Sequence, residues 1–348
     1  MEKVSAPSVA IIIPAWNQRD ELIQCLESFS CTDYPNYEVV VVNNGAEDNT
    51  SEVVRRDFPW ATLIEEGIDL GFCKANNIGL RYCLEKRFDY VVLLNADTKI
   101  LPHFIPELVS VMQSDHKIGI AGAKNLLMEN PAYMWGQYGK VTWGPMLVKT
   151  IGRFEPDKNL NEPPKDIDWV ICNGCIMSRA ALEKVGMFDE DFWQCNEDVD
   201  WSYRARRAGF RVIYVDTAAI LHKGSSSAKS QRIKVFSYGY FLGRNAIVFA
   251  KKYATFFQMI KLITMMTMGI FGRCAYHFMA IIKRMVIVTI HDIMLTIFGQ
   301  RFFIRGIFDG LRGKLSPDYT FIRQTPATAI SNKLKQGKLA RFKIWLGV

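Results

Sequence analysis

Asn95-Ala96-Asp97 directly follows the apolar run Tyr90–Leu94, and a carboxylate at such a point can hold a divalent cation against two phosphate oxygens. Three other polar groups fall in comparable places. Pro14-Ala15-Trp16-Asn17 follows Val9–Ile13, where a flat indole can stack on a nucleobase. Asn43-Asn44-Gly45-Ala46-Glu47-Asp48 follows Glu38–Val42 and offers short side chains able to hydrogen-bond a base or ribose. Asp69-Leu70-Gly71-Phe72-Cys73-Lys74 leads into Asn76, Asn77 and Gly79, a glycine turn opening a helix whose free N–H groups suit anions and sugar hydroxyls. Each group alone is ordinary turn or cap chemistry. Their recurrence at the ends of successive apolar runs points to one site.

Downstream, the stretch from Phe188 to Trp201 packs six carboxylates (Asp189, Glu190, Asp191, Glu197, Asp198, Asp200) among aromatic rings. Acidic residues favour the positive end of a helix, and Asp200 with Arg204 makes an i, i+4 pair. Those effects do not account for the aromatics, which a sugar-binding lip requires; Trp193, Glu197 and Trp201 are its candidates. His222 lies a few residues beyond the run Arg211–Val215, where a structural histidine and a metal or phosphate ligand are both open readings. Cys172-Asn173-Gly174-Cys175 has metal or redox spacing, but no second Cys/His pair sits at zinc-finger distance. The scatter of the eight cysteines matches reduced, packed thiols.

These groups need elements to hold them. Runs apolar along their whole length (Val9–Ile13, Glu38–Val42, Ala61–Glu65, Tyr90–Leu94) alternate with helical patterns at Glu21–Phe29, Ser51–Asp57 and Lys74–Glu85. That alternation predicts an α/β fold with a mostly parallel central sheet and helices on both faces, binding its ligand beyond the carboxyl ends of the strands. Residues 124–168, rich in Gly, Pro, Trp and Tyr, read as a long loop region. A strand is expected over Trp169–Met177, helices over Arg179–Val185 and Glu197–Ala208 with Gly209 closing the second, and a strand over Arg211–Val215.

The chain has 348 residues, 49% of them hydrophobic, enough for a sizeable core. Its net charge of +8 hides a division. Residues 228–348 hold 20 Lys/Arg against 3 Asp/Glu, while residues 1–227 are net acidic at −9. The expected organisation is a catalytic domain over 1–227 and a basic, amphipathic helical region over 228–348. Between Ala254 and Ile307 apolar stretches are cut by Lys261, Arg273, Lys283, Arg284, Asp292, Arg301 and Arg305, so none reaches the roughly 20 residues of a spanning helix. Helices lying in the interface of an anionic membrane surface, assisted by a tail carrying Lys333, Lys335, Lys338, Arg341 and Lys343, are expected instead. A helical subdomain or a homo-oligomer interface is the plainer alternative. Met1–Ser8 is polar and opens onto Val9–Ile13, so no signal peptide is expected. Nucleic acid is not an expected partner, because the first 227 residues are acidic and hold no recognised motif.

Taken in order, these segments resemble the inverting glycosyltransferase family 2, of the GT-A fold, and are most similar to its rhamnosyltransferase-like branch. The resemblance rests on Ile11–Asn17, Val40–Gly45, Asp69–Phe72 with Asn77-Ile78-Gly79, Leu93–Thr98, Val185–Glu190, Glu197–Asp200, Arg207–Phe210 and His222, together spanning about residues 9–224. It implies a Rossmann-like α/β domain that transfers a sugar with inversion, rhamnose from dTDP-rhamnose first among donors, onto a glycan or lipid-linked glycan in surface polysaccharide assembly. Donor contacts are implied for Pro14, Trp16, Asn17, Asn43, Gly71, Lys74, Asn77, Asn95 and Ala96. Mg2+ or Mn2+ would be held by Asp97 and His222, and Asp198 would be the catalytic base. Asn43 and Asn95 stand where the family usually has aspartates. The implied location is cytoplasmic, peripheral on the inner face of the cell membrane. Alternatives are a galactofuranosyl- or other hexosyltransferase using a UDP-sugar, and a non-catalytic nucleotide-binding membrane adaptor. A processive synthase is disfavoured by the lack of a Gln-x-x-Arg-Trp motif.

Overall fold

The computed structural model describes residues 6–144, 147–224, 228–283 and 290–313. Its first part alternates β1 (Val9–Ala15), α1 (Arg19–Glu27), β2 (Tyr37–Asn44), α2 (Thr50–Asp57), β3 (Thr62–Glu66), α3 (Gly71–Lys86) and β4 (Tyr90–Leu93). Then come β5 (Thr98–Ile100), α4 (Phe104–Ser114), β6 (Ile118–Leu127), β7 (Asn130–Gly136), β8 (Tyr138–Val141), β9 (Val148–Ile151) and β10 (Lys165–Asp166). The chain continues through β11 (Cys175–Ser178), α5 (Arg179–Val185), α6 (Glu197–Arg207) and β12 (Arg211–His222), and on to the helices α7 (Ala228–Tyr253), α8 (Phe256–Lys283) and α9 (Ile290–Leu311).

One sheet organises the molecule, in the order β10-β12-β6-β11-β4-β1-β2-β3. The neighbours β4-β1-β2-β3 are parallel, as are β12 and β6. Between these halves β11 runs antiparallel to both β4 and β6, so the sheet is mixed. The uninterrupted apolar runs are explained by two cores. Ala10, Ile12, Val40 and Val42 point to one face, while Val9, Ile11, Ile13, Val39 and Val41 point to the other. Alternate residues of a strand face opposite ways, so a strand buried on both sides has no polar position to show.

Local chemistry sets the ends of α3 and α6. At the head of α3, Asp69 Oδ1 accepts from the Gly71 N–H at 2.9 Å and from Asn44 Nδ2 at 3.1 Å, while Asn44 Oδ1 accepts from the Leu70 N–H at 2.9 Å. α6 carries Glu197, Asp198 and Asp200 in its first turn and Arg204, Arg206 and Arg207 in its last, complementing the helix dipole. Gly209, at φ +91°, ends it as expected.

Three expectations change. Residues 124–168 are not one loop: they hold the end of β6, the edge strand β7, the β8–β9 hairpin and β10. β7 is exposed over its first four residues and contains Pro131, so it shows little apolar periodicity. The strand expected over Trp169–Met177 forms only as β11, because Gly174 turns the chain at φ +77°. The last strand runs on to His222 through an irregularity between Val215 and Ala219.

α7 packs into the core beneath α6. Ala246, Ile247, Phe249 and Ala250 are buried in the same cluster as Val199 and Trp201, and Phe249 meets the rings of Trp143, Tyr203 and Tyr253. Gly243 and Gly306 allow α7 and α9 to touch backbone to backbone, since a Cβ on either would strike the opposite chain.

Candidate active site

Asp97 lies beyond the carboxyl end of β4 and is met there by His222, the last residue of β12. Pairing of β12 with β5 sets His222 opposite Thr98, and the Lys223 N–H donates to the Asp97 carbonyl at 3.0 Å. This brings His222 Nε2 to 3.3 Å from Asp97 Oδ1, with both side chains nearly buried. His222 Nδ1 has no protein partner, and the ring lies 4.9 Å from that of Trp135, centroid to centroid. A hard carboxylate oxygen and an imidazole nitrogen converging in this way suit a divalent cation such as Mg2+ or Mn2+. Among the described residues no third His, Cys, Asp or Glu joins them.

The residues expected to contact the nucleotide lie mainly in the turns after β1, β2 and β4. Trp16 is 44% exposed in the turn after β1. Pro14 pairs in register with Val42 and is half-buried between the buried Ile13 and Ala15. Asn17, at φ +51°, accepts from the Glu47 N–H through Oδ1 at 2.8 Å. Asn43 is buried; it donates to Ser51 Oγ at 2.6 Å and accepts from the Ala46 N–H at 2.9 Å, so its amide shapes its own turn. Asn95 is half-buried beside the buried Ala96. Lys74 approaches Glu190 at 3.8 Å.

At the other end, α6 presents Glu197 and Asp198. Asp198 is half-buried and accepts from the Val199 N–H at 2.8 Å, and the backbone of Cys172 also favours its charged form. Desolvation nonetheless outweighs both and raises its pKa to about 7. Burial, then the neighbouring Asp198 charge, pushes Glu197 well above the usual carboxylate range. Asp200 is spoken for: it is fully buried, paired with Arg204 at 2.7 Å, and accepts from the Tyr253 hydroxyl at 2.7 Å.

The two ends are joined by consecutive residues. Asn173 Oδ1 accepts from the Asn95 N–H at 2.9 Å and the Thr98 hydroxyl at 3.0 Å, fixing the turn that carries Asp97. The backbone of its neighbour Cys172 favours the charged form of Asp198. Among the described residues, buried polar atoms without a protein partner include His222 Nδ1, Asn173 Nδ2, Asn196 Nδ2 and Glu197 Oε2 in these segments, and others on Asn76, Asn125, Trp169 and Gln300. Asn173 was hidden inside the Cys-x-x-Cys spacing, whose thiols are buried and unbridged. Its Asn-Gly sequence signals a turn, but not what the turn touches. Trp135 had no signal at all, because it sits on a strand the sequence concealed.

Two expected ligand contacts are corrected. Trp201 is fully buried, with its indole N–H donated to the Gly186 carbonyl at 2.8 Å, so it is core and no part of an acceptor lip. Asn77 is buried and spends its amide on the Phe188 backbone (2.9 Å to the carbonyl, 2.9 Å from the N–H) and on Glu190 at 3.2 Å, bracing the acidic loop. Trp193 sits on Gly71, where any Cβ would collide with the indole, and its carbonyl accepts from the Cys73 N–H at 2.9 Å. Gly71 is therefore needed as a seat for that ring.

Residues 6–236 match the family model described as glycosyltransferase like family 2. The N-acetylglucosaminyl-diphospho-decaprenol L-rhamnosyltransferase of Mycobacterium tuberculosis is 24% identical over 239 residues, covering 62% of this chain and 76% of that protein. A dTDP-rhamnosyl transferase of Shigella flexneri is 26% identical over 224 residues, covering 62% and 72%. Among solved structures, a mannosyltransferase from Pyrobaculum calidifontis in complex with GDP-Man and Mn2+ superposes with a TM-score of 0.51 over 88% of both chains at 18% identity, a likeness of fold. A family match spanning the sheet, the Asp97 turn and α6, on a fold shared with a solved glycosyltransferase, means that the chain belongs to glycosyltransferase-like family 2 and is a glycosyltransferase of the GT-A fold.

Proposed function

We propose that the protein transfers a hexose with inversion, rhamnose from dTDP-rhamnose first among donors, onto a glycan or lipid-linked glycan during surface polysaccharide assembly. The observation that carries this is the pairing of Asp97 with His222 at one end of a path whose other end is the desolvated Asp198, with Cys172 and Asn173 as the bridge. The two relatives named above as rhamnosyltransferases support the donor, and the lipid-linked acceptor of the first supports the acceptor class.

In this reading Trp16 stacks on the base and the turns after β1 and β2 enclose the nucleoside. Asp97 and His222 would hold the divalent cation, whose charge would offset that of the departing diphosphate. Asp198 accepts the proton of the acceptor hydroxyl while that oxygen attacks the anomeric carbon from the side opposite the leaving group. Glu197, kept neutral by burial, can donate a hydrogen bond to the acceptor. A single displacement inverts the anomeric configuration. Incubation with dTDP-rhamnose, UDP-galactofuranose and UDP-hexoses, followed by NMR of the product, tests the proposal. Transfer with inversion, preferring dTDP-rhamnose, is expected; retention of configuration would overturn the mechanism, and preference for a UDP-sugar would overturn the donor.

The chain is also placed by this reading on the inner face of the cell membrane. No helix among the described residues is long and apolar enough to cross a membrane. The start of α8 instead exposes Phe256, Phe257, Ile260 and Met268 close to Lys251, Lys252 and Lys261, the mixture suited to an anionic interface. The basic tail Lys333, Lys335, Lys338, Arg341 and Lys343 lies outside the described residues.

A further inference from the structure

The densest set of buried polar contacts that donor binding does not use lies where α7 meets the chain entering α6. There Trp193, Cys195 and Asn196 have φ of +59°, +67° and +65°, a left-handed conformation that residues with a Cβ adopt only when their surroundings impose it. The imposing groups are two neighbours on α7. Asn245 Nδ2 donates to the carbonyls of Phe192, Gln194 and Cys195 at 2.9, 2.8 and 2.7 Å. Arg244 donates to the Asp191 carbonyl at 2.6 Å and to Asn245 Oδ1 at 2.6 Å. Both side chains are fully buried. Lys252 pairs with Asp189 and the Tyr253 hydroxyl donates to Asp200, fastening the loop before and after this point.

An amide nitrogen has two hydrogens, so three carbonyls can share Asn245 only while they stay converged. That convergence turns Trp193 onto Gly71 and delivers Asn196, Glu197 and Asp198 as the first residues of α6. The metal end is fixed by other contacts, those of β5, β12 and Asn173.

We infer that Arg244 and Asn245 are positioning residues for the transfer step, holding Trp193 and Asp198 toward the acceptor, so that α7 is a working part of the catalytic unit. The inference rests on the reading of Asp198 as proton acceptor. Misplacing a reacting group by about 1 Å can cost on the order of 100-fold in rate. A residue that merely stabilised the fold would instead weaken donor binding and transfer together.

The test uses the full chain with Asn245→Ala, Arg244→Ala, Arg244→Lys and, beside them, Asp198→Asn. Binding of dTDP-rhamnose with Mn2+ is followed by calorimetry, and kcat by transfer to a synthetic N-acetylglucosaminyl-diphospho-lipid. Asn245→Ala is expected to lower kcat by about 30- to 100-fold with donor Kd changed less than about threefold, and Arg244→Lys to recover at least about tenfold over Arg244→Ala by keeping a donor for the Asp191 carbonyl. Unchanged kcat, or kcat and donor Kd worsening in parallel, would overturn the inference. So would loss of fold in all three α7 variants, which would make the pair structural only. Undiminished transfer by Asp198→Asn would remove the base assignment while leaving a selective defect in Asn245→Ala standing, so the two failures are distinguishable.

Discussion

Asp198 carries two pH effects of opposite use. Its pKa of about 7, raised by desolvation, means that the ionised form able to take a proton accumulates only as pH rises through neutrality. Transfer at saturating donor and metal should therefore climb through about pH 7 and level off above it; a rate that falls over pH 6–8 would contradict the assignment. The same shift lowers stability. The folded chain keeps a proton that the unfolded chain releases near pH 4, so folding free energy is lost as pH rises from about 4 to 7. Asp198→Asn should gain about 1–3 kcal/mol in urea unfolding at pH 8, shrinking toward pH 4; an equal difference at both pH values would show that the carboxyl is not desolvated. At this scale the sequence revealed residue types but not their satisfaction. Asp97 and His222 are 125 positions apart in the sequence, yet the structure brings them together. Trp201 and Asn77, equally suggestive as letters, spend their polar atoms on backbone groups.

Elements were legible where burial is two-sided. β1, β2, β4 and α3 follow from uninterrupted apolar runs and capping residues, and their carboxyl-end turns are where the candidate donor residues lie. The β7–β10 region was illegible for the converse reason: edge strands with exposed faces and Pro or Gly interruptions carry no period. α7 shows the limit in another form, since its composition reads as an amphipathic surface helix whereas its middle turns are core. A direct test of element packing is Gly79 on α3, where an added Cβ would lie 2.5 Å from Ile12 Cγ2, a buried branched side chain on β1. Helix propensity favours Gly79→Ala by about 1 kcal/mol, but the collision should reverse the sign and destabilise by about 1–3 kcal/mol. Chemical denaturation measures this, and a more stable variant would mean that α3 does not press on β1 as described.

For the whole molecule, residues 1–227 are net acidic and residues 228–348 net basic, and the proposed docking to an anionic interface falls in the basic part, at the start of α8. Phe256→Glu and Phe257→Glu should each weaken binding to vesicles containing anionic lipid by about tenfold or more, as expected for losing one inserted ring, and raised salt should release the wild-type protein. Binding that ignores both changes would contradict interfacial docking. The central claim is that one cleft has a metal end and a proton-accepting end with separable tasks. Calorimetry of nucleotide-sugar binding with and without Mn2+, paired with transfer rates for Asp97→Asn and Asp198→Asn, tests it most directly. Asp97→Asn should lose the metal-dependent gain in donor affinity. Asp198→Asn should keep that gain and lose transfer by about 100-fold or more. Metal-dependent binding that survives in Asp97→Asn, or full turnover in Asp198→Asn, would contradict the account.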